Sequence, residues 1–299
     1  MLFDLEMHKH AVNGIQINCR VTGQGPALLL LHGHSQTHVM WHKVAPELAK
    51  HYMLVMPDLR GYGDSDKPVS PISPAQRSMY SNRIMAQDVC ELMHQLGYPQ
   101  FYVLAHDRGA RVAHRLALDH PDVVKRMILL DIAPTLAMYS QTNEAFARAY
   151  WHWFLLIRPT PFPETLISAD PAGYLRGVMG VRSAGMKPFT EQALAEYTRA
   201  LSLPGTAYGI CEDYRASASI DLEHDAEDIA QKHFVECPLL VLWGQHGAIE
   251  QCFSALAEWE KVALDVKGYA LPSGHYIAEE IPERLLEEVY GFLGCENDK

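Results

Sequence analysis

The sequence has no hydrophobic run long enough to cross a bilayer; stretches such as Ala27–Leu31 stop after a few residues, against the roughly 20 that a spanning helix needs. Its start, MLFDLEMHKH, lacks the apolar core of a secretory signal. Positive charge is scarce: 25 Lys and Arg stand against 36 Asp and Glu, a net charge of −11. Such a chain repels nucleic acid and anionic membranes, which excludes both as expected partners. An anionic substrate would need local cations to overcome that field. The six cysteines (Cys19, Cys90, Cys211, Cys237, Cys252 and Cys295) show neither CxxC nor ribbon spacing. They read as free thiols in a reducing, cytoplasmic setting rather than as a disulfide or metal framework. Repeats and basic tracts are absent as well.

What is present is a rhythm. Ile15–Val21 alternates like a strand, and short apolar runs follow at 27–32, 52–57, 101–106, 127–132 and 239–244. Near-continuous apolar runs mark strands buried on both faces, as in a parallel sheet. Helical patterns fall between them, for example Arg83–Leu96, which ends at Gly97 with Pro99 beyond. This predicts a doubly wound α/β sheet. The rhythm breaks after Asp131. Residues 136–224 carry dense aromatics (AYWHWF, 149–154) and a proline-rich break (RPTPFP, 158–163). They read as a helical cap inserted between two parts of the core, 1–135 and 225–299. The acidic stretch 222–233 reads as a solvated helix face, and 66–74 as a loop.

Ligands of open α/β sheets bind at the carboxyl ends of strands. Asp107 lies at one, in the small-x-Asp-x-small pattern of a nucleophile elbow: Ala105, His106, Asp107, Arg108, Gly109. Aspartate in place of serine changes the chemistry. A serine alkylated at saturated carbon is an inert ether, whereas an alkylated aspartate is an ester that water can cleave. A carboxylate is also ionised without help from a base. The second step needs a base, an orienting acid and an oxyanion hole. His275 in LPSGH, late in the chain, suits the base; Asp131, ending the next strand, suits the acid. The backbone N–H groups of His34 and Arg108 suit the oxyanion hole. Arg108 and Arg111 are three residues apart and share a helix face. A carboxylate nucleophile and an anionic substrate at 4 Å repel by about 4 kcal/mol at an effective dielectric of 20. A guanidinium clamp would offset that.

HDRGAR, ALDHPD (117–122), LLDIAPT (129–135), ARAYWHWF (147–154), CEDYRA (211–216) and LPSGH (271–275) together resemble the fluoroacetate (haloacetate) dehalogenases of the α/β-hydrolase fold. The resemblance runs from about residue 10 to 295. It implies hydrolysis of a haloacetate to glycolate and halide without a cofactor. Asp107 would be the nucleophile, Asp131 the acid and His275 the base. Arg108 and Arg111 would hold the carboxylate, and His152, Trp153 and Tyr214 the halide. A homodimer is implied too, although no interface pattern is legible. Four positions depart from the family's pattern: HGHS (32–35) stands where His-Gly-Phe-Pro is common, so that His34 and Ser35 replace the aromatic and the proline, Ala105 opens the elbow in place of Gly, and Ser273 replaces a Gly before His275.

Rival readings make different demands. Metal chemistry would draw on His32, His34, His38 and His42, but no further Asp/His pair completes such a site. An epoxide hydrolase would use the same Asp/His/Asp set with two cap tyrosines, and has no use for an arginine clamp. A non-catalytic receptor on the same fold would not need the catalytic set. A neutral haloalkane would leave two arginines buried without partners.

Overall fold

The computed structural model describes residues 6–69 and 79–294. Cys295 and most of the 66–74 loop expected from the sequence lie outside the described residues. The core is an eight-stranded sheet, counted among the described residues, in the order β1-β2-β4-β3-β5-β6-β7-β8. Its strands are β1 (His8–Val12), β2 (Ile15–Gly23), β3 (Ala27–Leu31), β4 (Met53–Pro57), β5 (Phe101–His106), β6 (Val124–Leu130), β7 (Leu239–Gly244) and β8 (Val266–Leu271). β1 and β2 form an antiparallel edge, and β4 through β8 pair in parallel. The central strands β3, β5 and β7 are buried along nearly their whole length, which accounts for their unbroken apolar runs.

On the core, α1 (Ala45–Leu48) precedes β4, and α2 (Asn82–Gln95) precedes β5. Ser81 caps α2 by accepting from the Ile84 N–H. α3 (Asp107–Asp119) follows β5 directly. Between β6 and β7 the chain forms helices and their connections, with an isolated bridge from Val235 to Ala263. The helices are α4 (Thr135–Ser140), α5 (Glu144–Ala149), α6 (Trp151–Leu156), α7 (Phe162–Ala169), α8 (Pro171–Met179), α9 (Glu191–Leu201), α10 (Thr206–Ser217) and α11 (Ile220–Gln231). After β7 come α12 (Ala248–Cys252) and α13 (Ala255–Trp259); after β8, α14 (Ile277–Glu280) and α15 (Pro282–Leu293).

The reading of 222–233 as a solvated face holds for Glu223, Glu227 and the exposed residues around them, and fails at two aspartates. Asp228 is buried, and Asp225 and Asp228 turn inward to pair with Arg115 of α3 at 2.9 and 2.5 Å. These two aspartates hold α11 against α3.

Candidate active site

β5 delivers Asp107 at a turn where its own φ is +46°. That left-handed conformation is costly for a residue with a Cβ, and it persists where the surroundings dictate it. Two close approaches do so here. A Cβ on Gly109 would meet the His32 carbonyl at 2.5 Å, and one on Gly33 would meet the Asp107 Cβ at 2.6 Å. Glycine at both positions lets β3, β5 and the start of α3 converge. The Gly109 N–H donates to His32 O (2.9 Å), and the His34 N–H donates to Asp107 Oδ1 (2.9 Å). Arg108 sits in the first turn of α3, where helical N–H groups lack intrahelical partners. Of the two N–H groups expected for an oxyanion hole, that of His34 thus meets the Asp107 carboxyl, and that of Arg108 belongs to the residue next in the chain.

Asp131 follows β6 with φ +51°. Its Oδ1 accepts from the Gly244 N–H (2.8 Å), and His275 Nδ1 lies 2.5 Å from its Oδ2. With both oxygens engaged, the carboxylate fixes the ring so that Nδ1 carries the proton and Nε2 is free to act as base. That Nε2 lies 4.0 Å from Asp107 Oδ2. Burial would raise the Asp107 pKa. His275, His106, Arg111 and Arg108 around it outweigh that and hold the carboxyl well below the usual range. The Asp107 carboxylate is therefore ionised.

The two arginines are both buried but differently employed. Arg108 directs Nε to Asp213 Oδ2 (2.9 Å) and Nη2 to Asp213 Oδ1, with Nη1 donating to Ser217 Oγ (3.1 Å). Its guanidinium lies over the Tyr214 ring at 4.7 Å. This corrects the expectation that both cations would lack a partner in the absence of an anionic substrate: Arg108 has Asp213. Arg111 has no carboxylate within ion-pair distance among the described residues. Its Nη1 donates to Thr135 Oγ1 (2.8 Å) and Ala133 O (3.3 Å), and Nη2 approaches Met138 Sδ (3.1 Å). Its Nε has no partner among the described residues. The group lies over the Trp153 ring at 4.7 Å.

The cap supplies aromatics. His152, Trp153 and Tyr214 are all buried, and the Tyr214 ring lies 6.0 Å from His152 and 6.1 Å from Trp153. Trp153 Nε1 and the Tyr214 hydroxyl have no hydrogen-bond partner among the described residues. Buried donors in that state ordinarily mark a place for a ligand or a strained site. Burial, followed by Arg182 and His34, keeps the His152 imidazole neutral, well below its usual pKa. Beside His275 a cavity of about 410 Å³ is lined by Trp151, Arg148, Arg182, His246 and Gln251 among others.

Several site residues escaped the sequence reading. Asp213 stands one position before Tyr214, and that adjacency was its only signal. Arg182, over the Tyr150 ring at 4.4 Å, comes from a connection without pattern. Tyr174, 3.0 Å from His34 Nε2, had no signal either. His106 donates through Nε2–H to the His275 carbonyl (2.9 Å) and so steadies the loop around His275. The four histidines of the metal rival go separate ways. His32 Nε2 accepts from the Leu59 N–H, His38 Nδ1 pairs with Asp58, His42 Nδ1 meets Val39 O and His34 Nε2 meets Tyr174.

The alpha/beta hydrolase fold family matches residues 26–277. Fluoroacetate dehalogenase of Burkholderia sp is 43% identical over 93% of this chain and 91% of its own length. A soluble epoxide hydrolase of Corynebacterium sp. (strain C12) is 32% identical over 98% and 99%. The crystal structure of ALR0039 from Nostoc sp PCC 7120 superposes with a TM-score of 0.94 at 52% identity, covering 98% of this chain and 99% of that one. The mostly parallel eight-stranded sheet agrees with this family, and the chain is a hydrolase of the α/β-hydrolase fold family.

Proposed function

We propose that the protein hydrolyses a haloacetate to glycolate and halide through an ester on Asp107. The observation that carries this is Arg111, a buried guanidinium with no carboxylate partner among the described residues. An uncompensated buried cation is costly, and a substrate carboxylate would relieve it. Arg108 adds at most its Nη1 edge, because Asp213 occupies the rest.

With the carboxylate on Arg111, Asp107 Oδ2 attacks the α-carbon in line with the carbon–halogen bond. The bonding pair leaves with the halide, toward the unpartnered donors of Trp153 and Tyr214 and the neutral His152. Water then enters between His275 and the ester. His275 Nε2 takes its proton, the hydroxide adds to the Asp107 carbonyl carbon, and the oxyanion forms at the His34 and Arg108 N–H groups. Collapse expels glycolate, which takes up the proton from His275. The net reaction is haloacetate plus water to glycolate, halide and a proton.

Halide release should follow addition of fluoroacetate or chloroacetate and not of a neutral haloalkane. Under single turnover in heavy-oxygen water, label should enter Asp107 rather than glycolate. Label appearing first in glycolate would mean direct attack by water and would end the ester mechanism. An epoxide serves as the control substrate: rapid diol formation with no halide release from haloacetates would transfer the reading to epoxide hydrolysis.

A further inference from the structure

We infer that His34 is a fourth donor of the leaving-group pocket, held as its Nδ1–H tautomer by Tyr174; this rests on the haloacetate reading and assigns a residue to it. His34 is also where the chain departs from the family's usual aromatic. The residue is 3% exposed, and its imidazole lies among the residues expected to receive the halide. The ring stacks on His152 (5.9 Å, 19° between planes) and meets the Tyr214 ring edge-on at 5.4 Å. Nε2 faces the Tyr174 hydroxyl at 3.0 Å, and Nδ1 has no partner among the described residues. Trp153 Nε1 and the Tyr214 hydroxyl share that condition, so the unpartnered polar atoms gather on one contiguous set of rings.

The tautomer follows from counting hydrogen bonds. The ring is neutral, since burial pushes its pKa down to about 3, with Arg108, Arg182 and His275 adding to the effect and Asp107 opposing it. A neutral imidazole has one N–H and one lone pair. Burial holds the Tyr174 hydroxyl protonated, and that hydroxyl has no second partner among the described residues. If Tyr174 donates to Nε2, its proton is satisfied and the ring proton sits on Nδ1. If Nε2–H donates to Tyr174 instead, the hydroxyl proton is stranded and Nδ1 is a bare lone pair in a pocket built for anions. The first arrangement leaves one unpartnered donor, the second leaves two buried unmet groups.

Covalent geometry places the donor. Nδ1 is the ring nitrogen nearer its own backbone, and the His34 backbone N lies 2.9 Å from Asp107 Oδ1. The Nδ1–H therefore stands near the nucleophile's end of the pocket, within reach of the halogen on the carbon that Asp107 attacks. A halide forming there meets His34 from the core side and His152, Trp153 and Tyr214 from the cap. Fluoride concentrates its charge and depends most on such donors, bromide least.

The test reads the site with and without turnover. Chloride binding to the resting protein, followed by chlorine NMR line broadening at constant ionic strength, should weaken about tenfold or more in His34→Phe, the order expected for one hydrogen bond to a charged group. Fluoroacetate turnover should fall by a larger factor than bromoacetate turnover. Nitrogen NMR of histidine-labelled protein should place the His34 proton on Nδ1, and Tyr174→Phe should shift that signal while a merely structural role would not. His34→Gln, which restores a side-chain N–H, should recover part of the chloride affinity. A His34→Phe protein that binds chloride as the wild type does, or a wild type that binds none, overturns the inference. A wild type that binds chloride yet hydrolyses no haloacetate defeats the proposed function and leaves the donor assignment standing.

Discussion

Arg108 and Arg111 lie one turn apart on α3, and only their surroundings tell them apart. Arg108 is neutralised by Asp213, which also accepts from the Tyr62 hydroxyl at 2.6 Å; among the described residues Arg111 has only neutral hydrogen-bond partners. Their substitutions should therefore fail in different ways. Arg111→Lys keeps the charge but loses the fork, and should cost about 2–4 kcal/mol in kcat/KM on chloroacetate with little change in stability. Arg108→Leu strands a buried carboxylate and should cost about 3–5 kcal/mol of unfolding free energy. Steady-state kinetics and urea unfolding of both variants check the pair. Unchanged kcat/KM in Arg111→Lys, or unchanged stability in Arg108→Leu, would refute the division of labour. The sequence showed two cations on one helix face but not which was already matched, because Asp213 arrives from more than a hundred residues away. Asp107 and Asp131 were legible for the opposite reason: each directly follows a buried strand, where local pattern and position coincide, while His275 was legible from the LPSGH stretch late in the chain.

Among the elements, the buried central strands announced themselves and the edge strands did not. β1 buries only Val12 fully, and β8 alternates half-buried and exposed residues up to a buried Leu271, so neither forms an apolar run and neither is legible as a strand. The cap was legible only as an interruption, since its helices pack on one another and on the core through contacts with no local signature. α10 shows how tightly such a helix is located. It carries Asp213, Tyr214 and Ser217, and it crosses the loop after β4 at a contact between glycines. A Cβ on Gly209 would meet Gly61 Cα at 2.8 Å and Gly61 O at 3.0 Å. Alanine in a helix is favoured over glycine by about 1 kcal/mol, but overpacking against backbone costs about 1–3 kcal/mol. Gly209→Ala should thus be net destabilised in urea unfolding, and it should release halide more slowly because Tyr214 and the partner of Arg108 move with the helix. A stabilised, fully active variant would show that the crossing has slack.

Across the whole molecule, one buried carboxylate ties the cap to both sides of the active site. Glu279, on α14 just after His275, accepts from Gln36 on the loop after β3 and from the Tyr197 hydroxyl of α9 (3.1 Å). Lys43 reinforces the junction by donating to the carbonyls of Glu279 and Pro188, each at 2.6 Å. His42 lies 3.8 Å away. Burial pushes the Glu279 carboxyl up to about 8, with Tyr197, Lys43 and Gln36 opposing and Glu280 adding to the rise. A carboxyl raised in the folded state binds its proton more tightly there than in the unfolded chain. Its contribution to stability is then complete below the unfolded value, near 4.3, and is lost as pH climbs toward the folded value. Asp221, pushed by burial up to about 7, acts in the same direction, so the wild type alone would not isolate Glu279. Comparison with Glu279→Gln does, because glutamine keeps an acceptor and a donor at the junction and cannot ionise. The stability advantage of the wild type over this variant should shrink steadily between about pH 5 and pH 8, as read from unfolding midpoints at each pH. A difference that stays flat across that range would mean that Glu279 remains in one protonation state throughout, and that the cap junction does not respond to pH through this residue.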